Sequence, residues 1–491
     1  MNSATRLIAG AALLAAMASA CKDATQPLPP GSHVGYYVTT GGTPSGSGST
    51  DSPWDLETAL AGGPGGDSLR AGDTVWIRQG TYAGDFSTIL EGSPGQYITF
   101  RAYPGERATI NGQLKASNGG AYLVFWGLEV MQSNPKHASQ GGYPTVLVEA
   151  LDTKLINLIV HDAGTQGISS YVPATNNEIY GSIIYNNGNE ENLDHGIYVH
   201  ETDKRIEDCI IFNNLANGIH AYETNPQANL YLKGNASFNN GSISGQADPD
   251  GTNLLIRGVG GSEGTQALDN MLYFTRSDDG DNMRIGDNDN PANNHDVIVR
   301  GNYVVGGRAA LRIEAWETLT VQDNTVLGPS PFIVRLAAAG SIATAWDRNI
   351  WHRNPADVIW EFGGTATGFS AWKTASGLGA TDQTAAAPST PTVFIRPNRY
   401  EAGRANIIIY NWTRQATVPV DVSSVLQSGD HYELRNVQSF FGAPVAAGTY
   451  SGGSINVSMS GVNPPALIGR TIGSPPRTAP DFDAFVILKV P

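Results

Sequence analysis

The sequence predicts an all-β chain wound into a solenoid, and three observations predict it. The first is a column of turn residues followed by a hydrophobic pair. It runs Asn157-Leu158-Ile159, Ser182-Ile183-Ile184, Cys209-Ile210-Ile211, Asn235-Ala236-Ser237, Asn270-Met271-Leu272, Asn302-Tyr303-Val304, Asn324-Thr325-Val326 and Asn349-Ile350-Trp351, at steps of 25, 27, 26, 35, 32, 22 and 25 residues. A repeat of this length with one short strand per step is the signature of stacked coils. An asparagine recurring at one turn can bond the same backbone groups in the coils above and below, and Ser182 and Cys209 are small enough for the same slot. The second observation is another column: Gly167-Ile168, Gly196-Ile197, Gly218-Ile219, Asn253-Leu254, Asn282-Met283, Ala310-Leu311 and Pro331-Phe332. Its anchors start alternating strands (Ile197 and Val199, Ile219 and Ala221, Leu254 and Ile256, Met283 and Ile285, Leu311 and Ile313), which places these side chains inside and their neighbours outside. The third is composition: 58 glycines and a charged fraction of 15% suit a turn-rich β architecture.

Two registered strand columns per coil, with no coil shorter than 22 residues, resemble the right-handed parallel β-helix of the pectate-lyase-like superfamily. The resemblance implies a right-handed parallel β-helix solenoid, and the strand-like runs beyond the repeat read as a C-terminal β-sandwich domain. Its fold carries lyases, hydrolases, epimerases and adhesins, so the chemistry has to be argued from the site.

The elements follow in chain order. Residues 1–21 form a secretory signal: Arg6 in a basic start, an apolar run Leu7 to Met17, then Ala18-Ser19-Ala20 before Cys21. A cysteine directly after small residues resembles the bacterial lipoprotein signal, which implies lipidation of Cys21, export, and an outer-membrane or cell-surface location. The apolar run is too short to be kept as a spanning helix. With Cys21 lipidated, Cys209 has no disulfide partner, because the chain has 2 cysteines. Residues 22–35 are polar and proline-rich, a tether. Residues 36–373 are the β-helix with an N-terminal cap, in which Trp54 to Ala61 reads as a short helix covering the open end of the solenoid. The strings Gly72-Asp73-Thr74-Val75-Trp76-Ile77-Arg78 and Gly80-Thr81-Tyr82 resemble the entry segment of secreted β-helix proteins. Residues 374–392, rich in Ala, Thr, Ser, Gly and Pro, read as a linker. Residues 393–491 show strand-like runs without the repeat and read as the sandwich. There Tyr410 and Trp412 read either as a sugar-stacking platform or, more in line with the usual burial of aromatics, as core or domain-contact residues.

The candidate site is the outward side of the second column. One position past its anchors lie Tyr198, His220, Arg284 and Arg312; three past lie Tyr171, His200, Tyr222, Arg257, Glu314 and Arg335. A solvated sheet face would carry Thr, Ser, Lys and Asn. Tyr, His and Arg on successive coils about 4.8 Å apart instead form a strip long enough for several sugar units. Long turns at Gly188 to His195, Asn240 to Thr252 and Thr275 to Asp281 wall it. Asp250 and Asp279 occupy equivalent places on neighbouring coils, and stacked carboxylates repel unless a cation lies between them. Asp250, Asp279 and Asp281 are therefore the candidate calcium ligands, although aspartate is also a common turn residue.

The net charge of −15 disfavours nucleic acid as a partner and fits a metal or a neutral glycan more easily than a polyanion. The strip makes a polysaccharide, bound by a monomer, the expected ligand, with screening leaving the local Arg and His patch in control. Two catalytic schemes fit. In a polysaccharide lyase, β-elimination on a uronate needs its carboxylate neutralised and its C5 proton removed. Arg257, Arg284, Arg312 or calcium would neutralise; His200, His220 or Tyr198 would abstract or donate. In a glycoside hydrolase, paired aspartates would do the work, and Asp278-Asp279 and Asp194-His195-Gly196 resemble pieces of the polygalacturonase pattern in a different order. A glycan-binding surface without catalysis is the third reading.

Overall fold

The computed structural model describes residues 35–491 except 136–142, 189–193, 224–226, 244–250, 259, 277–279, 287–293, 315, 338–342 and 470–473. The signal, Cys21, Asp250 and Asp279 therefore lie outside the described residues. Among those described, three sheets of 12 strands each run the length of the coil. The first extends from Tyr36–Val38 to Ala343–Asp347, the second from Phe86–Thr88 to Thr365–Thr367, and the third from Gly80–Ala83 to Gln383–Thr384. Neighbouring coils pair in parallel, and the antiparallel hairpin of Trp360–Phe362 with Thr365–Thr367 closes the second sheet. Inward residues of all three sheets fill one continuous core. Ile197, Ile219, Leu254 and Leu311 are buried there, as the alternation predicts. Leu56–Leu60 forms the N-terminal helix, capped by Asp55, whose carboxylate accepts from the Thr58 amide at 2.7 Å.

The asparagine column stacks. The Oδ1 of each residue accepts from both the backbone and the side-chain nitrogen of its predecessor along Asn235, Asn270, Asn302, Asn324 and Asn349, at 2.9–3.0 Å. Each Nδ2 also donates to a backbone carbonyl of the preceding coil, as Asn302 does to Ala267 at 2.9 Å. The small residues fit as expected: Ser182 Oγ accepts from the Leu158 amide, and the Cys209 amide donates to Asn235 Oδ1, both at 3.0 Å. Asn157 is a correction. The register pairs Ile159 with Ile183, so Leu158 and not Asn157 stands opposite Ser182. Asn157 occupies the preceding place, where φ is 53° and where Gly181, Asp208, Gly234, Asp269, Gly301, Asp323 and Arg348 also adopt left-handed backbone. Residues 374–392 are more than a linker. Gln383–Thr384 adds the last strand of the third sheet, and Asp382 ends the ladder by accepting from the Asn349 amide at 2.9 Å. A second helix, Phe369–Ser376, buries Phe369 and Trp372 against this end.

A second ladder explains the glycines of the other column. Asn187, Asn214, Asn240, Asn253 and Asn282 bond one to the next, with Oδ1 accepting from Nδ2 at 2.8–2.9 Å. A Cβ at Gly167, Gly196 or Gly218 would lie 2.6 Å from the Nδ2 of Asn187, Asn214 or Asn240 respectively. Glycine is required because an amide arriving from the next coil fills its side-chain space. Where Asn253 and Asn282 stand in the column, they carry the ladder themselves.

The C-terminal domain pairs a five-stranded antiparallel sheet with a two-stranded one around its own core. It covers the outer face of the third sheet, where Tyr185, Phe212 and Phe238 stack in sequence and Tyr273 stacks on Phe482 at 4.4 Å. Tyr410 is buried in this contact and donates to Leu272 O at 3.2 Å, while Trp412 Nε1 donates to the Tyr303 hydroxyl at 3.2 Å. Both are domain-contact residues rather than a sugar platform. The same domain reaches the first sheet through Tyr400, packed against Trp126 and Tyr180. The candidate strip lies on the second sheet, away from these contacts.

Candidate functional site

The register carries the outward column across the second sheet. Tyr198 neighbours His220, His220 neighbours Leu255, Leu255 neighbours Arg284, and Arg284 neighbours Arg312. Tyr222 neighbours Arg257 two positions further along the strand. Arg335 needs a correction. Leu311 pairs with Val334, so the last anchor is Val334 rather than Phe332, and Arg335 continues the column of Arg312. It pairs with Glu361 at 3.1 Å at the far end of the strip.

Two groups of side chains assemble. The first is a cluster of rings. Tyr198 packs edge-on against His200 at 4.5 Å and lies 5.2 Å from His220 between centroids; Tyr171 contacts Tyr198 and His200 at 5.9 and 5.0 Å; Tyr222 stands 5.6 Å from His220. His195, legible in the sequence only as part of an Asp-His-Gly string, is central to this cluster. Its Nε2 lies 2.8 Å from His220 Nδ1. Burial pushes His195 down to about 3, and His220 is held well below its ordinary value, first by burial and then by the charges of His195, Arg257, His200 and Arg284. Both shifts favour the neutral ring.

The second group is an ion network. Asp281, buried, accepts from Arg308 Nε at 3.2 Å and from Arg312 at 3.0 Å. Glu314 binds Arg312 at 2.6 Å through one oxygen and Arg284 at 3.1 Å through the other. Burial by itself would raise the Asp281 carboxyl, but Arg308 and then Arg312 outweigh it and hold it below the usual carboxylate range. With Arg257, four guanidinium groups face two carboxylates among the described residues of this patch, so it is locally cationic on an acidic protein. Arg308 escaped sequence reasoning because it precedes its strand, Ala309–Ile313, and reaches back one coil.

The metal expectation meets this network. Both oxygens of Asp281 are occupied by guanidinium groups, and among the described residues no three His, Cys, Asp or Glu side chains are grouped to hold a metal ion. Asp281 as placed does not fit a calcium ligand; Asp250 and Asp279 lie outside the described residues.

Three parallel sheets, stacked amide ladders and an outward strip of rings and arginines define a right-handed parallel β-helix protein. Residues 36–281, just over half of the chain, match the family described as Pel9A-like, right-handed β-helix region, and the chain belongs to that family. No curated protein matches it. Solved structures similar to it include the pectate lyase Pel9A, at 17% identity over 59% of this chain and 77% of that one, with a TM-score of 0.41. A rhamnogalacturonan lyase matches at 15% identity over 64% of this chain and 84% of that one, TM-score 0.42. An alginate lyase from a Paenibacillus species matches at 15% over 62% and 94%, TM-score 0.31. No residue role follows from these likenesses.

Proposed function

We propose that the protein is a carbohydrate-active enzyme, a polysaccharide lyase that cleaves a uronate-containing glycan by β-elimination along the second sheet. The observation that carries this reading is the placing of imidazole and phenol groups (His200, His220, Tyr198) beside Arg257 and Arg284 on adjacent coils. Elimination needs a positive or donating surface for the uronate carboxylate as the C5 proton leaves, and a group to take that proton. Arg257 and Arg284 supply the first, with Arg312 and Glu314 orienting Arg284. His200 and Tyr198 are the candidates for the second. Tyr171 and Tyr222 offer sugar-stacking faces. The hydrolase alternative would need an acid other than Asp281, which two arginines hold ionised.

Exposure to polygalacturonate, rhamnogalacturonan and alginate is expected to generate the unsaturated-uronate absorbance band with at least one of them. New reducing ends without that band would establish a hydrolase, and retention without cleavage a binding protein. His220→Ala is expected to lower turnover about 10²-fold or more; near wild-type turnover in both His220→Ala and Arg284→Ala would remove the strip as the active site. Activity lost on chelation and restored by calcium would assign a metal to the loops of Asp250 and Asp279.

The proposal extends to location. An exported monomer anchored through a lipid on Cys21 would act on extracellular glycan. Cys21→Ala is then expected to move the protein from the membrane fraction to the soluble one, and unchanged membrane retention would refute the anchor.

A further inference from the structure

The hydrogen bonds behind His220 run in one direction. The Thr252 amide donates to Asn217 Oδ1 at 2.7 Å. A backbone N–H can only donate, so this contact identifies the oxygen end of the Asn217 side chain and turns its Nδ2 towards His195. The backbone amide of Asn217, at 3.3 Å, and its Nδ2, at 3.2 Å, both converge on His195 Nδ1. That nitrogen must accept, so the one proton of neutral His195 sits on Nε2 and points at His220 Nδ1, 2.8 Å away. By the same counting, the proton of His220 sits on Nε2. Reversing the chain would set an N–H of His195 against the N–H of Asn217.

We propose that Asn217 and His195 are positioning residues that lock His220 as a neutral Nε2–H donor for an anionic oxygen of the ligand, the uronate carboxylate. The identity of that ligand rests on the proposed function; the locked tautomer does not. Three further observations agree. His195 and Asn217 are buried, at 2% and 5% exposure, so solvent does not compete for the chain. His220 Nε2 is itself buried and has no hydrogen-bond partner among the described residues, an arrangement that leaves a donor unsatisfied until an acceptor arrives. Among the described residues, the charged and titratable groups that act on or pack against His220 are His195, His200, Arg257, Arg284, Tyr198 and Tyr222; none of these is a carboxylate that would draw a second proton onto the ring. Tyr198 and Tyr222 flank the His220 ring, at 5.2 and 5.6 Å between centroids. His220 is then an electrophile that bonds the carboxylate as charge develops, and proton abstraction falls to His200 or Tyr198. A neutral imidazole donor suits this task, since it stabilises an oxyanion without first surrendering its proton.

The test is the ring tautomer in the full-length, ligand-free protein, read by long-range proton–nitrogen NMR after histidine-selective nitrogen labelling, with His220 assigned through His220→Gln. The expected result is a protonated Nε2 and a bare Nδ1 at neutral pH. A protonated Nδ1, or an imidazolium, would overturn the inference. His195→Phe removes the donor to His220 Nδ1 and is expected to release the His220 proton from Nε2 into a mixture of tautomers; a His220 pattern unchanged in that variant would also sink the chain. If a substrate is found, His220→Gln, whose amide donates from the same place, is expected to recover at least about tenfold of the loss seen in His220→Ala, whereas a base could not be replaced this way. A correct tautomer with no eliminase activity would refute the proposed function and leave the chain standing; eliminase activity with Nδ1–H would do the reverse.

Discussion

Asn302→Ala is expected to lower the unfolding free energy by about 3–5 kcal/mol, because it orphans buried groups on both sides of one amide. Asn302 Oδ1 accepts from the backbone nitrogen of Asn270 at 2.9 Å and its side-chain nitrogen at 3.0 Å, and Nδ2 donates to Ala267 O and Asn324 Oδ1, each at 2.9 Å. All of this is out of contact with water; Asn302 is 1% exposed. Alanine leaves the Asn270 amide and the Ala267 carbonyl buried without that partner, and each such group costs about 1–3 kcal/mol. Asn302→Asp keeps the shape but sets carboxylate oxygens against Ala267 O and Asn324 Oδ1, and is expected to cost at least as much. Urea unfolding checks both. A shift under about 1 kcal/mol for either would mean that the ladder is replaceable by relaxation or water.

Glu129→Ala is the second large effect, expected at about 3 kcal/mol, near the low end for breaking a buried ion pair because Arg107 is half exposed. Glu129 joins three partners on the outer edge of the third sheet: Arg107 at 2.6 Å, the Thr109 hydroxyl, and His161 Nε2 at 3.0 Å. His161 Nδ1 meets Asp162 at 2.7 Å, and the other oxygen of Asp162 accepts from the Ile468 amide of the C-terminal domain at 2.8 Å. A ring with a carboxylate on each nitrogen must carry both protons. Burial works against that charge, but Asp162 and Glu129 overcome it and raise His161. Burial likewise opposes the charge on Glu129, and His161, Arg107 and Thr109 hold it down at about 2. The signs follow. The His161 contribution is fully present below its unfolded value of about 6.5 and fades as pH rises through the raised folded value. The Glu129 contribution is present above its unfolded value of about 4.3 and fades as pH falls towards about 2. The wild-type stability difference between pH 6 and pH 9 is therefore expected to shrink in His161→Gln. An equal pH dependence in both proteins would contradict a charged His161.

Much of the fold is legible in the chain because a solenoid repeats its physics. Every coil must bury one inward residue and its next-but-one neighbour on each short strand, so Ile197 and Val199 announce the second sheet as Leu254 and Ile256 do. The amide ladder is equally local in cause: one residue type recurs wherever the same turn recurs. Alternation does not fix the register where neighbouring coils differ in length. The coil from Leu158 to Ser182 has 24 residues, which puts Leu158 rather than Asn157 opposite Ser182, and Ala309 pairs with Phe332 while Leu311 pairs with Val334, which makes Val334 the last anchor.

The sequence by itself determined the class of fold, the inward and outward sides of the second sheet, and the appearance of tyrosine, histidine and arginine on the outward side. Alternation carries that information without any knowledge of neighbours. Only the tertiary structure decided what those side chains do to one another. It set His195 behind His220, turned Arg308 and Arg312 onto Asp281, placed Asn187, Asn214 and Asn240 in the space left by three glycines, and covered the third sheet with Tyr410 and its domain. Each of these contacts joins residues on different coils or domains. Its existence depends on turn lengths and side-chain direction across the stack, and period-two alternation encodes neither.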